Sequence, residues 1–384
     1  MTNWPTKKLG EVAYFQEGPG LRSFQFKSTG IKVINVANVQ NGYLDLEKTK
    51  FIDPSEVEKK YKHFLVEEND ILISTSGTIG RVAKTKKENL PLMLNTSVVR
   101  FRTLDKNILL NDFLLYFLRS SLFLNKLLKF KTGVAIFNVG PSHLKKIRIQ
   151  LPPLQIQKQI VERLDKIVEA QKLNNDLIQK SDELFQSLLH KELDPAGKNW
   201  EMKKLSEVGE IITGTTPSTK NSDYWNGEFL WATPTDIKEN TFMLVDTPRK
   251  LSREGYKKTR PVPKNAILVT CIASIGKMAL AGKEMATNQQ INSIVCNKGS
   301  DPFFVFFSLQ KGKKKLINLG KTTAVPIINK SEFGRIKIPL PPIQTQKQIV
   351  VKLSAAQDYK TQLLTQKLKL KELFNSVLSK SFRG

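Results

Sequence analysis

The chain is written twice. A duplicated polypeptide has to build one architecture two times, and this limits the possible folds more than any other feature of the sequence. WPTKKLGEV at 4–12 matches WEMKKLSEV at 200–208, and NDILISTSGTIG at 69–80 matches NAILVTCIASIG at 265–276, both at an offset of 196. LPPLQIQKQIVERLD at 151–165 matches LPPIQTQKQIVVKLS at 340–354 at an offset of 189, so the second copy is seven residues shorter. Ten of those last fifteen positions are identical, which excludes coincidence.

Each copy has a body and a tail, and the two differ in kind. The bodies carry short β-rich runs at 31–36, 71–74, 98–101, 229–231 and 267–270, bounded by Gly, Pro, Asn and Asp, which predicts mixed α/β globules. The tails follow Pro152–Pro153 and Pro341–Pro342, and the first contains no Gly or Pro as far as Leu193. In the first tail Ile156, Ile160, Leu164, Ile167, Leu177, Leu184 and Leu188 recur at spacings of three, four and seven. In the second the stripe is Ile349, Leu353, Leu363, Leu370, Phe374 and Val377. Both patterns predict long amphipathic helices. A helix of roughly 38 residues is about 57 Å long, more than one globule needs to cover its own core, so each tail calls for a long partner. The economical partner is the other tail, paired antiparallel with a body at either end. The resulting expectation is an α+β chain: two globular mixed α/β domains (1–150 and 196–339), separated by two long antiparallel helices (151–195 and 340–384) that form a coiled coil, with a pseudo-two-fold internal repeat.

Charge separates bodies from tails. Residues 1–150 hold 24 Lys and Arg against 13 acids, and 195–341 hold 23 against 12, so each body is +11 in a chain of +26. Two equally basic bodies suggest a polyanion gripped in two places, with nucleic acid first among candidates. With two cysteines, neither a disulfide scaffold nor a four-Cys zinc site is open, and a reducing, cytosolic setting is expected. The amino end has no apolar leader region, and the most apolar run, 266–275, is about half of a membrane span, so no membrane association is expected.

The duplicated body-plus-helix plan, the paired L-P-P-x-x-x-Q-x-x-I segments and the W-x3-KL openings resemble the DNA specificity subunit of type I restriction-modification enzymes over nearly the whole chain. That resemblance implies two target-recognition domains, each reading half of an asymmetric, gapped target on double-stranded DNA, with the helices as a ruler. It implies no catalysis by this chain. The resemblance further implies two methyltransferase subunits docked on the helical regions and restriction/translocase subunits that complete the complex. By the same resemblance S-adenosylmethionine, ATP and magnesium are expected to belong to those partners, with no cofactor or metal bound by this chain. The residues agree by omission. The Pro-Pro pairs lie only in LPPL and LPPI rather than in an Asn-Pro-Pro-aromatic segment, and IASIGKMA lacks the first Gly and the final hydroxyl of a phosphate-binding loop. His63, His143 and His190 have no metal or triad spacing. Two alternatives stay open: a self-sufficient DNA methyltransferase or nuclease, and an architectural coiled-coil protein that binds DNA without reading it.

Direct readout needs side-chain donors and acceptors on loops, with Lys and Arg beside them for phosphates. In the first body the candidates are Arg22 and Gln25 in GPGLRSFQF; Ser74, Thr75, Ser76, Thr78 and Arg81 after a strand; and Lys131 with Thr132. In the second they are Thr215, Thr216, Ser218, Lys220 and Tyr224; Thr233, Thr235, Asp236 and Lys238; Asn288, Gln289 and Gln290; and Lys321 with Thr322. Ordinary turn chemistry competes at every one of these positions. Phe15, Tyr43, Trp225 and Trp231 are expected to pack in the core rather than to stack on bases.

Overall fold

In the computed structural model, the structure describes residues 4–130, 140–239, 241–320 and 326–382. The chain forms two compact units, residues 1–175 with 365–384, and residues 176–364. The boundaries therefore fall inside the two long helices, Leu154–Glu192 and Ile343–Phe382, rather than at the ends of the tails.

The first unit opens with a short antiparallel pair, Thr6–Lys8 with Arg148–Gln150. It continues in a four-stranded sheet ordered 13–17, 98–103, 71–74, 82–84, and a second sheet ordered 26–27, 50–52, 31–34, 92–94. The second unit repeats this. Glu201–Lys204 pairs with Lys337–Leu340, one sheet is ordered 209–213, 291–296, 267–270, 278–281, 243–244, and the other 250–251, 225–232, 286–287. Equivalent strands sit at offsets of 196 (71–74 and 267–270), then 193 (98–103 and 291–296), then 189 (148–150 and 337–340). The net loss of seven residues in the second copy thus falls after strand 267–270, in two steps of three and four.

In each unit one long helix brings its beginning and the other its end. In the first, Ile160 and Leu164 share a core with Phe113, Phe117 and, from the second long helix, Phe374, Leu378 and Phe382. The Phe382 ring lies 5.0 Å from Phe113 and 5.6 Å from Phe117. In the second, Phe185, Leu189 and Leu193 join Phe304, Phe307, Ile349 and Leu353. There the helix segments run antiparallel: Lys352 is 3.1 Å from Glu192, and Lys360 is 2.5 Å from Asp182. The antiparallel pairing continues in the first unit, where the Gln171 amide donates to the Leu370 carbonyl at 3.1 Å.

The repeated L-P-P-x-x-x-Q segment has a structural cause. Gln157 is fully buried; its Oε1 accepts from the Leu110 N–H at 2.9 Å, and its Nε2 donates to the carbonyls of Ile108 and Pro152, each at 2.9 Å. Gln346 does the same in the second unit, accepting from Asp301 N–H (2.8 Å) and donating to Gly299 (3.1 Å) and Pro341 (2.7 Å). The amide satisfies the first N–H of the body helix Asn111–Arg119 or Pro302–Lys311 while tying the Pro-Pro bend, so it clips each body to its long helix.

One segment of the expected seam is corrected. Leu184 is 53% exposed, while Phe185 and Leu189 are buried and Leu188 is half-buried. A strict step of seven from Leu177 lags an α-helix by about 20° per heptad, so over two turns the inward face moves to Ser181, Phe185 and Leu189. Ile160, Leu164, Ile349, Leu353, Leu363 and Phe374 are buried as expected, and Ile156, Ile167, Leu177, Leu370 and Val377 are half-buried. Among the described residues no helix is long and apolar enough to cross a membrane, and no cluster of His, Cys, Asp and Glu could hold a metal.

Candidate nucleic-acid interface

In the second repeat four loops converge. The loop after strand 209–213 is pressed onto the loop before 291–296: Thr215 N–H donates to the Thr287 carbonyl at 2.8 Å and the Thr216 hydroxyl donates to Gln289 Oε1. Gly214 is the hinge of this contact, since a Cβ there would lie 2.2 Å from both the Asn288 carbonyl and Thr287 Oγ1. A backbone approach that close needs glycine. The Asn288 N–H reaches the Ala232 carbonyl (2.9 Å), where strand 225–232 turns into the third loop. That loop is closed by Asp236, whose carboxylate accepts from Thr233 N–H (2.7 Å) and Oγ1 (2.8 Å). The fourth is the 270–277 hairpin, joined through Cys271 N–H to the Gln290 carbonyl (2.8 Å). Two indoles brace the cluster from below, Trp231 Nε1 donating to the Thr215 carbonyl (3.1 Å) and Trp225 Nε1 to that of Ser218 (3.2 Å).

The first repeat builds the same junction with other side chains. Gly18 stands where Gly214 does, and a Cβ on it would be 2.5 Å from the Asn95 backbone. Asn95 Nδ2 donates to Asn35 Oδ1 (2.6 Å), and Asn38 Oδ1 accepts from Asn35 N–H (2.9 Å) as Asp236 does from Thr233. Thr75 N–H donates to the Ser97 carbonyl (2.9 Å), matching Cys271 and Gln290. In both hairpins a buried hydroxyl ties the turn. Ser74 Oγ donates to the Thr78 carbonyl (2.6 Å) and accepts from Arg81 N–H (3.0 Å), and Thr270 Oγ1 makes the equivalent bonds to the Ser274 carbonyl and Lys277 N–H. The left-handed residues correspond as well: Gly77 and Ala273 at φ 58° and 60°, Gly80 and Gly276 at 84° and 87°. One backbone frame thus presents GPGLRS, NVANVQ and NTS in one repeat, and GTTPST, TPTDIK and NQQ in the other.

A model of the type I restriction modification DNA specificity domain matches residues 1–180 and again 197–372. The chain belongs to that family. It is 29% identical over 192 residues to the type I restriction enzyme MjaIX specificity subunit of Methanocaldococcus jannaschii, covering 49% of this chain and 44% of that one. It is 34% identical over 151 residues to the HindI specificity subunit of Haemophilus influenzae, covering 38% and 32%. The chain thus spans less than half the length of these two relatives. A putative MjaX specificity subunit of M. jannaschii aligns at 27% over 384 residues, covering 93% of this chain and 87% of the relative. The fold is similar to that of a chain in a structure on complex assembly and conformational transition of the type I R-M system, with TM-score 0.67 and 18% identity over 100% and 98% of the two chains. It is also similar to the type I restriction-modification S subunit from M. genitalium, with TM-score 0.62 and 16% identity over 100% and 96%.

Within this family frame the side chains expected at DNA divide by exposure. Arg22, Thr78, Ser218, Lys220, Thr235, Lys238 and Gln289 are exposed, and Ser76, Arg81, Thr215, Thr216, Tyr224, Thr233 and Gln290 are half-buried. Five of the expected side chains are engaged or buried within the fold. Gln25 is buried, its amide donating to Glu56 (2.6 Å) and Tyr61 (3.2 Å) while its Oε1 accepts from Arg22 N–H (2.9 Å). Ser74 and Thr75 are fully buried, and Ser74 holds the hairpin. Asn288 is 7% exposed, and both ends of its amide are taken by Gln290. Asp236, half-buried, serves Thr233. Gln25, Ser74, Asn288 and Asp236 thereby find partners within the fold, as a buried polar group without one costs about 1–3 kcal/mol, while buried Thr75 is held through its backbone N–H to Ser97. Lys131, Thr132, Lys321 and Thr322 lie outside the described residues. Tyr43, expected in the core, is 62% exposed, and Trp225 is half-buried. The sequence reading passed over Asn35–Gln40, the counterpart of 233–238. The signal was present as VINVANV against WATPTDI, but at an offset of 198 rather than 196. Burial pushes the Cys271 thiol up to about 12, so it stays protonated and unreactive near neutrality.

Proposed function

We propose that this chain is the non-catalytic DNA-reading subunit of a type I restriction-modification complex. Each repeat reads one half of an asymmetric, gapped target, and the long helices set the gap and give docking faces to two methyltransferase subunits. Restriction/translocase subunits join through that assembly. S-adenosylmethionine, ATP and magnesium chemistry stays with these partners, and the cytoplasm is the working compartment.

The observation that carries this reading is the junction built twice on one frame with different exposed side chains. A non-reading DNA binder would gain nothing from two dissimilar sets of loop amides and hydroxyls, whereas two different half-sites require them. The long helices also leave Leu173, Leu184, Val351, Leu368 and Leu373 between 48% and 70% exposed, as expected of surfaces covered by a partner. The relatives' designation as specificity subunits points the same way.

The test is a binding selection by the full chain from a library of random duplexes. The expected result is two unlike sequence blocks separated by a spacer of fixed length and no preference. No enrichment, or one continuous block, refutes the reading. Removing residues 171–177 and 360–366 together shortens each helix by about 10 Å, which is expected to change the spacer by about three base pairs and leave both blocks intact.

A further inference from the structure

We infer that Arg249 reads a guanine in the half-site of the second repeat, an assignment that rests on the function proposed above. Its guanidinium carbon lies 4.1 Å from the ring centre of Trp225 and 4.8 Å from that of Trp231, whose rings stand 5.0 Å apart at 82°. These are the two indoles that hold the loop at Thr215 and Ser218. The backbone of Arg249 is pinned as well. Buried Thr247 accepts from the Trp231 N–H (3.2 Å) and donates to the Arg249 carbonyl (2.8 Å).

The side chain is thus held at both ends, exposed, and beside the converging loops. Among the described residues no carboxylate pairs with it and no acceptor takes its N–H groups, while the nearby Asp246 is paired with Lys250 at 3.1 Å. A stacked guanidinium keeps its donor edge free in a fixed plane. Such a fork fits a pair of in-plane acceptors, which duplex DNA offers as guanine O6 and N7 or as two phosphate oxygens. Phosphate is served as well by a lysine, which needs no fixed plane. Two indoles set to fix one are accounted for by the base edge.

The first repeat supplies an independent observation. Phe26 pairs with Ile52 as Trp225 pairs with Leu251, and Lys50 precedes Ile52 by two residues as Arg249 precedes Leu251. Lys50 Nζ lies 4.5 Å over the Phe26 ring. The fold therefore sets a cation on an aromatic ring at the same register twice, once with a directional fork and once with a point charge. Lys50 accordingly contributes charge toward a phosphate and no base preference.

The selection described above, repeated with R249K, R249A and K50A full-length chains, tests this. R249K keeps the charge and is expected to retain both blocks while one guanine in the second block loses about 5- to 150-fold of its preference. The unchanged first block shows that the variant is folded. R249A is expected to lose the same guanine, and K50A to weaken binding to all sequences alike. If R249K leaves the second block unchanged, or R249A only lowers affinity for every sequence equally, Arg249 contacts phosphate and the inference fails alone. If the wild-type chain selects no blocks, the proposed function fails and the inference with it.

Discussion

Replacing Gln157 by alanine tests whether the repeated L-P-P-x-x-x-Q segment is a clip. The substitution removes three hydrogen bonds of 2.9 Å from a fully buried side chain. Ile108 is 41% exposed, so its carbonyl recovers a partner from water, whereas Pro152 is buried and the Leu110 N–H is half-buried. Leaving these two groups unpaired at about 1–3 kcal/mol each, with water relieving some of the loss at Leu110, gives about 2–4 kcal/mol. Amide hydrogen exchange by mass spectrometry suits this chain better than a melting curve, because two compact units need not unfold as one. In the full chain, protection of peptides across residues 105–119 is expected to fall by about 30- to 700-fold. Gln157→Leu keeps the volume and loses all three bonds, so it is expected to behave like alanine. Gln346→Ala is expected to do the same to residues 297–311 and to leave 105–119 unchanged. Exchange within threefold of wild type in both Gln157 variants would refute the clip, and full recovery in the leucine variant would show packing to be the cause.

Phe185→Ala is expected to cost about 3–5 kcal/mol in the second unit and Leu184→Ala less than about 0.5, with amide exchange of the second unit's core peptides deciding between the two faces. Gly214→Ala puts a methyl 2.2 Å from the Asn288 carbonyl and is expected to push the 214–216 and 287–289 loops apart, erasing the second sequence block in the selection while the first block persists. Burial pushes both Cys271 and Cys296 up to about 12, so alkylation of the folded chain at pH 8 should be roughly a thousandfold slower than that of the urea-unfolded chain. The same raised values mean that this contribution to stability is intact below about pH 9 and is lost as pH rises toward 12. An alkaline unfolding series that shows no such loss would contradict it.

Much of this architecture could be read without coordinates. Duplication survives in residues that do the same work twice, so Gln157 and Gln346 betray the plan even where the bodies have diverged. The helical seams were legible because Ile160, Leu164, Ile349 and Leu353 recur with the helical period. The misplacement came at Leu184, where a seven-residue step was carried one heptad too far and Phe185 took the inward place. The loops were harder to read. Gln25, Ser74 and Asn288 have the chemistry of base readers, but the fold gives them partners of its own in Glu56 and Tyr61, the Thr78 carbonyl and Gln290, and it buries Thr75. Asn35–Gln40 escaped because two inserted residues moved its match out of register.

By itself the sequence determined the repeat, the long helices, the excess of positive charge and the resemblance to a family. These are properties of periodicity and composition, which do not depend on where a side chain points. Tertiary structure alone decided which polar loop residues face outward and which close a turn, and that Arg249 lies on two indoles from another strand. A hydrogen bond is satisfied by whatever partner the fold brings near, and the order of residues does not tell whether that partner is two positions away, as Gln290 is for Asn288, or 31, as Glu56 is for Gln25.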